Sequence, residues 1–400
     1  MSNITEQITR LQTAKANLKT SLEAKGVTVA DDATLDAYPA LVDSIPSGGG
    51  EVEEKDVNFY DYDGICIYSY TKNEFLALNE MPANPDHSDE GLTSDGWNWT
   101  LVNAKAYVLK YSKLNIGQLY NYNNQTALFV DTTKHNETIT LKLFTTKNAD
   151  VTVNWGDNTS TTESCSSGVQ QIFSHDYTNG KFIITFTISN DAKLHCNYNA
   201  NSHFIMNNYC IYKIIIGQDF TNIISYNTFE NLFDLEFVLL SSNITQLYDA
   251  SFNNTKIKCF ILPKDISYFS PGRIIFLKVI CFSDSSILDL GSYIGNSSNI
   301  DNLYIPESVT TIHGYLHQSK FKIIIFPETI TNIQNYALKS ENQEYPHDLY
   351  CYALVPPSLS SNAFIGRTGL NIYVPASVVE DYKAESNWSV YASQIQAIPE

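Results

Sequence analysis

The sequence lacks the short motifs that most often mark catalytic and cofactor-binding sites. It contains no GxSxG, HExxH, P-loop or GxGxxG stretch, and no CxxC pair. Its many carboxylates are dispersed, so no two of them stand out as the acid and base of a glycoside hydrolase. These absences predict a protein that is not an enzyme and that uses neither a cofactor nor a metal.

Positive charge and long apolar runs are also scarce. The chain has 25 Lys and Arg against 43 Asp and Glu, and a net charge of -18 opposes binding to nucleic acid. The longest basic grouping, Lys256 and Lys258, lies in a strand pattern. The N-terminus has no apolar signal core, and no run approaches the roughly 18 apolar residues of a membrane span. We therefore expect neither secretion by the standard route nor membrane insertion.

Cysteine is present but unpatterned. The seven cysteines are scattered, and several lie inside apolar runs such as KCFIL and VICF, where a free thiol behaves as a small buried hydrophobe. This distribution favours folding in a reducing cytoplasm.

What the sequence does contain is one pattern that recurs between Lys213 and Val374: aliphatic residues, a Pro or small polar residue, then a second apolar pair. The copies repeat about every 22 residues, which is the period of a solenoid. Each turn of a solenoid buries its apolar side against the next turn. The middle position, which we call the turn position, is held by Gly217, Ser241, Pro263, Ser283, Pro306 and Pro327.

The copies IPESVTTI and FPETITNI, with the ending IYVPASVVEDYK, resemble the BspA-type leucine-rich repeats of gut bacteria and their phages. The resemblance covers roughly Tyr212 to Ile398 and implies a leucine-rich-repeat solenoid over residues 196–400. The roles of that family in recognition are diverse, so the resemblance supplies no ligand. The tail reads as a C-terminal cap, in which Ser377 begins a helix that buries Tyr382 and Trp388.

Residues 2–25 carry apolar residues at alternating steps of four and three, with one Lys in the series. This pattern predicts a coiled-coil helix whose seam needs a partner, either another copy or a groove on something larger. Packing on its own chain is the alternative. The stretch IPSGGGEVEEKD then predicts a flexible linker, so we assign residues 1–48 to an anchor or oligomerisation segment. The seam consists of Ile4, Ile8, Leu11, Lys15, Leu18 and Leu22.

Parts of this opening, AKANLKTSLEAKGV and LDAYPALVDSI, resemble a segment at the start of tailed-phage structural proteins. The resemblance implies a virion component that is made in the host cytoplasm and attaches to capsid or tail proteins through its N-terminus. The seam favours a homo-oligomer, and a trimer is favoured by analogy with phage fibres.

Two domains are predicted between the anchor and the repeats. Residues 57–131 read as a small α+β domain with helices from Lys72 to Asn79 and Leu101 to Tyr111, completed by strands in LNIGQLYNY and TALFV. The runs VNFYDYDG, GWNWTL and LNIGQLY resemble a module of repeat-containing phage and prophage proteins. In residues 135–192, VNWGDNTST followed by HDYTNGKFIITFTI resembles a PKD-like sandwich, which implies a spacer with Trp155 in its core and Asp157 holding a turn.

Three local features have competing interpretations. The DYDG at Asp61 suggests calcium, but Lys72 stands where an EF-hand-like loop needs Glu, so a turn is favoured. Trp97 and Trp99 suggest a sugar-stacking platform, although such residues are more often core anchors. A third group fits no common zinc spacing, and we favour core or loop roles for it. It comprises His195, Cys196, His203 and Cys210.

The sequence thus predicts a multidomain, mainly β chain. It combines an N-terminal coiled-coil helix, a small α+β domain, a PKD-like sandwich and a leucine-rich-repeat solenoid. The function predicted is that of a non-enzymatic virion structural protein, a head or tail fibre that displays a repeat surface for host or environmental recognition. The alternatives are a bacterial or phage adhesin that binds host glycan or protein, and a glycan-degrading virion enzyme. The sequence identifies no ligand-binding residue.

Overall fold

The computed structural model describes residues 11–13, 15–16, 18–19, 29–30, 33–34, 54–133, 138–195, 203–205, 208–221, 223–224, 226–284, 288–291, 300–314, 321–339, 347–367 and 369–399. The chain divides into two compact units, residues 1–53 and residues 54–400. Within the described ranges, each helix is too short or too polar to cross a membrane.

In the first unit, the described residues 11–13, 15–16 and 18–19 are helical, as the heptad pattern predicts. Two seam residues are exposed: Leu11 to 59% and Leu18 to 39%. Lys15 is half-buried, whereas Ile4, Ile8 and Leu22 lie outside the described residues. The helix is therefore present at these positions, and its assembly into a coiled coil stays a prediction.

The second unit is mainly β and contains few helices. In its described residues the helices are α1 (Lys72–Ala77), α2 (Leu101–Tyr111) and α3 (Val379–Ala384), with 3-10 turns at Ser88–Glu90, Ala376–Val378 and Ser389–Gln394. The strands before the repeats are β1 (Val57–Tyr60), β2 (Cys66–Tyr70), β3 (Thr93–Trp97), β4 (Leu114–Asn121), β5 (Ala127–Asp131), β6 (Thr138–Thr145), β7 (Ala149–Asn154), β8 (Ser160–Cys165), β9 (Gln171–Asp176), β10 (Lys181–Ile188) and β11 (Leu194–His195).

The repeats supply short strands on two faces of a solenoid. The first face holds β12 (Ile211–Ile216), β14 (Phe237–Leu240), β16 (Cys259–Ile261), β18 (Val279–Cys281), β20 (Asn302–Tyr304), β22 (Ile323–Phe326), β24 (His347–Cys351), β26 (Leu370–Val374) and finally β27 (Ile395–Ala397). The second face holds β13 (Ile223–Ile224), β15 (Gln246–Leu247), β17 (Tyr268–Phe269), β19 (Asp289–Leu290), β21 (Thr311–Ile312), β23 (Asn332–Ile333) and β25 (Ser358–Leu359).

The predicted solenoid is confirmed, with about seven turns whose paired strands run parallel. The turn position follows the first-face strand, and its carbonyl accepts a hydrogen bond from the residue three places on. Ile244 N–H donates to Ser241 at 3.1 Å, and Val309 N–H donates to Pro306 at 3.1 Å. Proline suits this position because it has no N–H to donate to a strand ladder, so it stands where the strand pairing ends.

A chain of phenylalanine rings fills the first turns. Phe229 stacks on Phe252 at 5.3 Å, and Phe252 meets the edge of Phe260 at 5.5 Å. All three side chains are fully buried. Burying each such ring contributes roughly 1.5–3 kcal/mol, so neighbouring turns are held together by apolar contact.

Strands β2, β1, β4 and β3 form one sheet, in that order, and α1 and α2 pack on it. Helix α1 starts with a capping box, in which the Thr71 hydroxyl accepts from Glu74 N–H and the Glu74 carboxylate accepts from Thr71 N–H. Both predicted helices are confirmed, although α1 ends at Ala77. We call residues 54–121 the α+β body.

The α+β body lies against the first face of the solenoid. Tyr304 and Ile325 belong to the same apolar cluster as Phe59 and Tyr107 of the body. Close approach of β4 requires glycine at position 117, because a Cβ there would lie 2.4 Å from Ile261 Cγ2. The boundary of a separate domain at residues 57–131 stays a prediction.

Strand β5, the TALFV segment, does not join the sheet of β4. It pairs with β10 and β12 inside a six-stranded sheet of order β14, β12, β5, β10, β7, β8. Both faces of β5 are buried: Leu128 faces the main core, and Phe129 faces a second cluster with Tyr120 and Ile215. A strand that is apolar on both faces is suited to the middle of a sheet.

The six-stranded sheet faces a smaller sheet of order β11, β6, β9 across a shared core that includes Trp155. Since β12 and β14 are the first solenoid strands, this sheet runs without a break into the solenoid. The predicted strands in residues 138–188 are confirmed, and the polar strand β8 was missed. Trp155 is fully buried and Asp157 accepts a hydrogen bond from Thr159 N–H at 3.0 Å, so both predicted roles are confirmed.

The prediction of a buried C-terminal cap is confirmed, but the prediction that Ser377 begins its helix is wrong. Tyr382 and Trp388 are fully buried, and Trp388 Nε1 donates to Pro357 O at 2.8 Å. Ser377, however, is exposed and lies inside the 3-10 turn that precedes α3, and its side chain makes no capping bond. The helical segment begins with this tighter turn, whose capping position is Pro375. Ser377 therefore lies inside the turn rather than at its N-cap.

Candidate binding groove

The corner that precedes each first-face strand carries a ladder of equivalent residues. Each member comes the same number of residues before the aligned core positions Ile214, Val238, Phe260 and Ile280. The members in four successive turns are Tyr209, Phe233, Thr255 and Ile275. Three are large and one is small, so the ladder has a gap at Thr255, which is buried and donates its hydroxyl to Phe252 O at 2.9 Å.

This gap is a groove of about 400 Å³. One wall is formed by the rings of Tyr209 and Phe233, which stack at 4.6 Å with an interplanar angle of 23°. The opposite wall is Ile275 and Phe276. Tyr209 is 50% exposed, Phe276 48% and Ile275 44%, in contrast to the buried rings of the core. Exposed apolar side chains gathered in a concavity are typical of binding sites.

A second, more polar compartment of about 280 Å³ adjoins the groove and shares Tyr209, Asp234 and Lys256 with it. It extends to Asp131 and Lys181 of the sandwich, and to Tyr212 and Glu236. Burial raises the pKa of Tyr212, and the charges of Asp131 and Glu90 add to the effect, so its hydroxyl stays protonated. We call the two compartments together the corner groove.

Charged residues around the corner groove form ion pairs. Lys256 Nζ lies 2.6 Å from Asp234 Oδ1, and Lys258 Nζ lies 2.8 Å from Glu236 Oε2. Lys181 pairs with Asp131 at 3.5 Å. The two lysines of the longest basic grouping are thus neutralised by carboxylates of the preceding turn, which agrees with the absence of a basic patch there.

The corner backbone is committed to turn-to-turn hydrogen bonds. Asn231 N–H donates to Asn253 O at 2.9 Å, and Asn254 N–H donates to Arg273 O at 3.2 Å. Asn231 and Asn254 have φ of 61° and 57°, a left-handed conformation that asparagine tolerates better than most residues. The groove is therefore held on a rigid frame, and ligand recognition falls to its side chains.

A second cluster of chemically active side chains joins the α+β body to β12. His87 Nε2 lies 2.7 Å from Asp61 Oδ2, and His87 Nδ1 lies 3.0 Å from Glu90 Oε1. Glu90 also accepts from Tyr62 Oη at 2.9 Å and from the buried Lys213 Nζ at 2.5 Å. Although His87, Asp89 and Glu90 are grouped closely enough to suggest a metal, these bonds already engage His87 and Glu90. We assign the cluster a structural role.

This cluster predicts a pH-dependent stability. Burial lowers the pKa of His87, but the Asp61 and Glu90 carboxylates outweigh it and raise the pKa above its usual value. A raised folded-state pKa stabilises fully below the unfolded value of about 6.5, and this contribution disappears as pH rises through the folded value. The free energy of unfolding should therefore fall more on His87→Gln substitution at pH 6 than at pH 9. A difference that does not change with pH would contradict the assignment.

The other features singled out in the sequence belong to a turn, to the core or to separate local contacts. The DYDG segment is a turn, as favoured: Gly64 has φ of 83° and donates its N–H to Asp61 O at 3.0 Å. Trp97 and Trp99 are both buried, which confirms core anchors, and Trp99 Nε1 donates to Phe282 O at 2.6 Å. The structure does not gather the described members of the zinc-like group. His203 bonds Asn227 O, His195 packs on Phe144, and Cys210 is buried, whereas Cys196 lies outside the described residues.

Among the described residues, six cysteines are buried, as the apolar runs around several of them predict. A further cavity of about 320 Å³ lies between α2 and the solenoid. Its aromatic members Trp99 and Tyr107 are buried and donate hydrogen bonds to solenoid carbonyls. We assign it to the contact of the α+β body rather than to a ligand.

Residues 165–277 and 275–346 match the BspA type leucine rich repeat region, in six copies. The chain carries BspA-type leucine-rich repeats. The match begins before the solenoid and covers β9 to β23, and strands of the same kind continue to β26. A search of curated proteins gave no match to the chain. Repeats of this type suggest a surface or adhesin-like protein, and the corner groove lies on the first four turns of the BspA-type solenoid.

The corner groove is absent from the site residues that the sequence predicts. The signal was available, because extending the repeat alignment backwards from the turn positions places Tyr209, Phe233 and Ile275 in one column. The strand pattern alone indicates the apolar core of the solenoid and does not indicate the corner. The small residue at Thr255, which makes the gap, is also visible only in this column.

Proposed function

We propose that the protein is a non-enzymatic recognition protein, adhesin-like, that binds a surface partner through the corner groove. The observation that supports this most is the set of exposed apolar side chains on a rigid solenoid frame, at one gap of the corner ladder. A solenoid offers a surface where side chains can vary at each turn without disturbing the core.

The finer proposal is that this protein is a phage virion component, a head or tail fibre or appendage. It would be made in the host cytoplasm, and its N-terminal segment would attach it to capsid or tail proteins. Support comes from the resemblance of AKANLKTSLEAKGV and LDAYPALVDSI to tailed-phage structural proteins, and from the exposure of Leu11 and Leu18 on a helix. In this setting the α+β body and the PKD-like sandwich lie between the anchor and the solenoid in the sequence.

Two measurements test these proposals separately. Mass spectrometry of purified particles should detect the chain at a fixed stoichiometry to the capsid protein, and its absence from particles would refute the virion setting. Binding of the full chain to intact host cells tests recognition. If the chain binds no cell surface, or releases reducing ends from the surface glycans, the non-enzymatic recognition function is wrong.

A prediction follows for the helical seam. Light scattering should give the full chain a multiple of 45.0 kDa, because Leu11 and Leu18 need an apolar partner. Leu18→Asp should shift the chain to a monomer, since a carboxylate buried in the seam without a partner is costly. Gln12→Asp is the matched control, because Gln12 is exposed and lies off the seam. A monomeric wild-type chain would exclude self-assembly through this helix.

A further inference from the structure

We propose that the corner groove binds a neutral saccharide, with a hexopyranose ring against its aromatic wall. The inference rests on the proposed recognition function and adds the chemical class of the ligand. Three observations support it: the shape of the gap, the pairing of the charges around it, and the hydrogen bonds that already engage the corner backbone.

The shape fits a flat ring with an apolar face. The gap at Thr255 is one repeat wide, and its volume of about 400 Å³ is in the range of small-molecule sites. The stacked rings of Tyr209 and Phe233 line one side of it, and Phe276 lines the other. An aromatic face is electron-rich and attracts the weakly positive C–H groups of a pyranose face.

The charge around the groove favours a neutral ligand. Asp131, Asp234 and Glu236 each lie within ion-pair distance of one lysine, so the local charges cancel. A basic peptide would be drawn to unpaired carboxylates, and an anionic sugar would be repelled by a chain of net charge -18. Paired carboxylates and ammonium groups offer acceptors and donors together, which matches hydroxyl groups that both donate and accept.

The backbone argues against an extended peptide. Peptides commonly bind by adding a strand to a sheet edge, which requires available backbone groups. At this corner, Asn231 N–H and Asn254 N–H are bonded to the next turn, and Lys256 N–H donates to Leu235 O at 2.8 Å. Since the backbone is engaged, a ligand is recognised here by stacking on the rings and by hydrogen bonds to polar side chains. This mode of recognition suits a saccharide.

The test begins with an array of neutral oligosaccharides of glucose, galactose, mannose and N-acetylglucosamine, printed beside sialylated and sulfated glycans. The full chain should bind at least one neutral probe, and the calorimetric Kd for that probe should rise at least tenfold in Tyr209→Ala. Phe276→Ser, on the opposite wall, gives a second variant should Tyr209→Ala fold poorly. Val390→Ser, an exposed apolar residue of the C-terminal cap, is the control and should leave the Kd unchanged.

Each other outcome overturns the inference in a distinguishable way. Binding to sialylated or sulfated probes alone would refute a neutral ligand and leave recognition by the solenoid in place. If neutral probes bind equally well to Tyr209→Ala and Phe276→Ser, the saccharide site lies outside the corner groove and the inference is wrong. If the chain binds host cells but no saccharide, and protease treatment of the cells removes binding, the partner is a protein. Failure to bind cells as well would refute the proposed function itself.

Discussion

Asn98→Ala should lower the free energy of unfolding of residues 54–400 by roughly 3–5 kcal/mol. The Asn98 side chain is fully buried between the α+β body and the solenoid. Its Nδ2 lies 3.0 Å from Cys281 O, 3.2 Å from Phe282 O and 3.3 Å from Leu262 O, while its Oδ1 accepts from Gly117 N–H at 2.9 Å. Alanine would leave these backbone groups without that partner in a contact that excludes water.

The control for this change is Asn103→Ala. Asn103 also bridges the α+β body and the solenoid, through a 2.8 Å bond to Asp284 Oδ2, but it is exposed. Water can replace that bond, so the loss should stay below about 1 kcal/mol. Chemical denaturation of the two variants gives the comparison. Equal stability of Asn98→Ala and Asn103→Ala would show that the α+β body is not held on the solenoid through Asn98.

The second large effect is expected for Gly217→Ala, at the first turn position of the solenoid. A Cβ at this position would lie 2.2 Å from the backbone carbon of Gln125 and 2.5 Å from Thr126 N. The contact is tight because Gly217 N–H donates to Thr126 Oγ1, and Thr126 N–H donates to Asp219 Oδ1 at 2.7 Å. Since backbone atoms cannot move aside cheaply, we expect destabilisation by about 2–3 kcal/mol.

The effect of Gly217→Ala should be local to the junction of sandwich and solenoid. Amide hydrogen exchange should speed up most in β5 and β12, which pair there. Gln218→Ala is the control: its side chain is exposed, and only its backbone N–H bonds Asn124 O. Unchanged exchange in β5 and β12 of Gly217→Ala would mean that the sandwich does not depend on this contact.

The repeat was predictable because its signal is local. Each copy places a strand, a turn position and a second apolar pair within a short segment, and the turn bonds at Ser241 and Pro306 confirm the pattern. Helix α2 was equally local, with Thr100 as its cap. Strands β3 and β8 were missed because they contain few apolar residues and are defined by their partners β4 and β7.

The long-range contacts could not be read from patterns. Asn98 resembles any loop asparagine until Cys281 and Phe282 are brought to it by the stacking of turns. Strand β5 follows β4 in sequence, yet it pairs with β10 and β12, because both of its faces are apolar. The turn position of the first repeat is glycine rather than proline for the same kind of reason, since the segment before β5 lies on it.

The central claim is that recognition uses the corner groove, and deuterium uptake by the full chain bound to isolated host envelope tests it most directly. Binding should slow exchange in residues 208–212, 231–237, 254–258 and 273–277, and should leave α2 and the C-terminal cap unchanged. Protection confined to other parts of the chain, with none in these four segments, would contradict the claim.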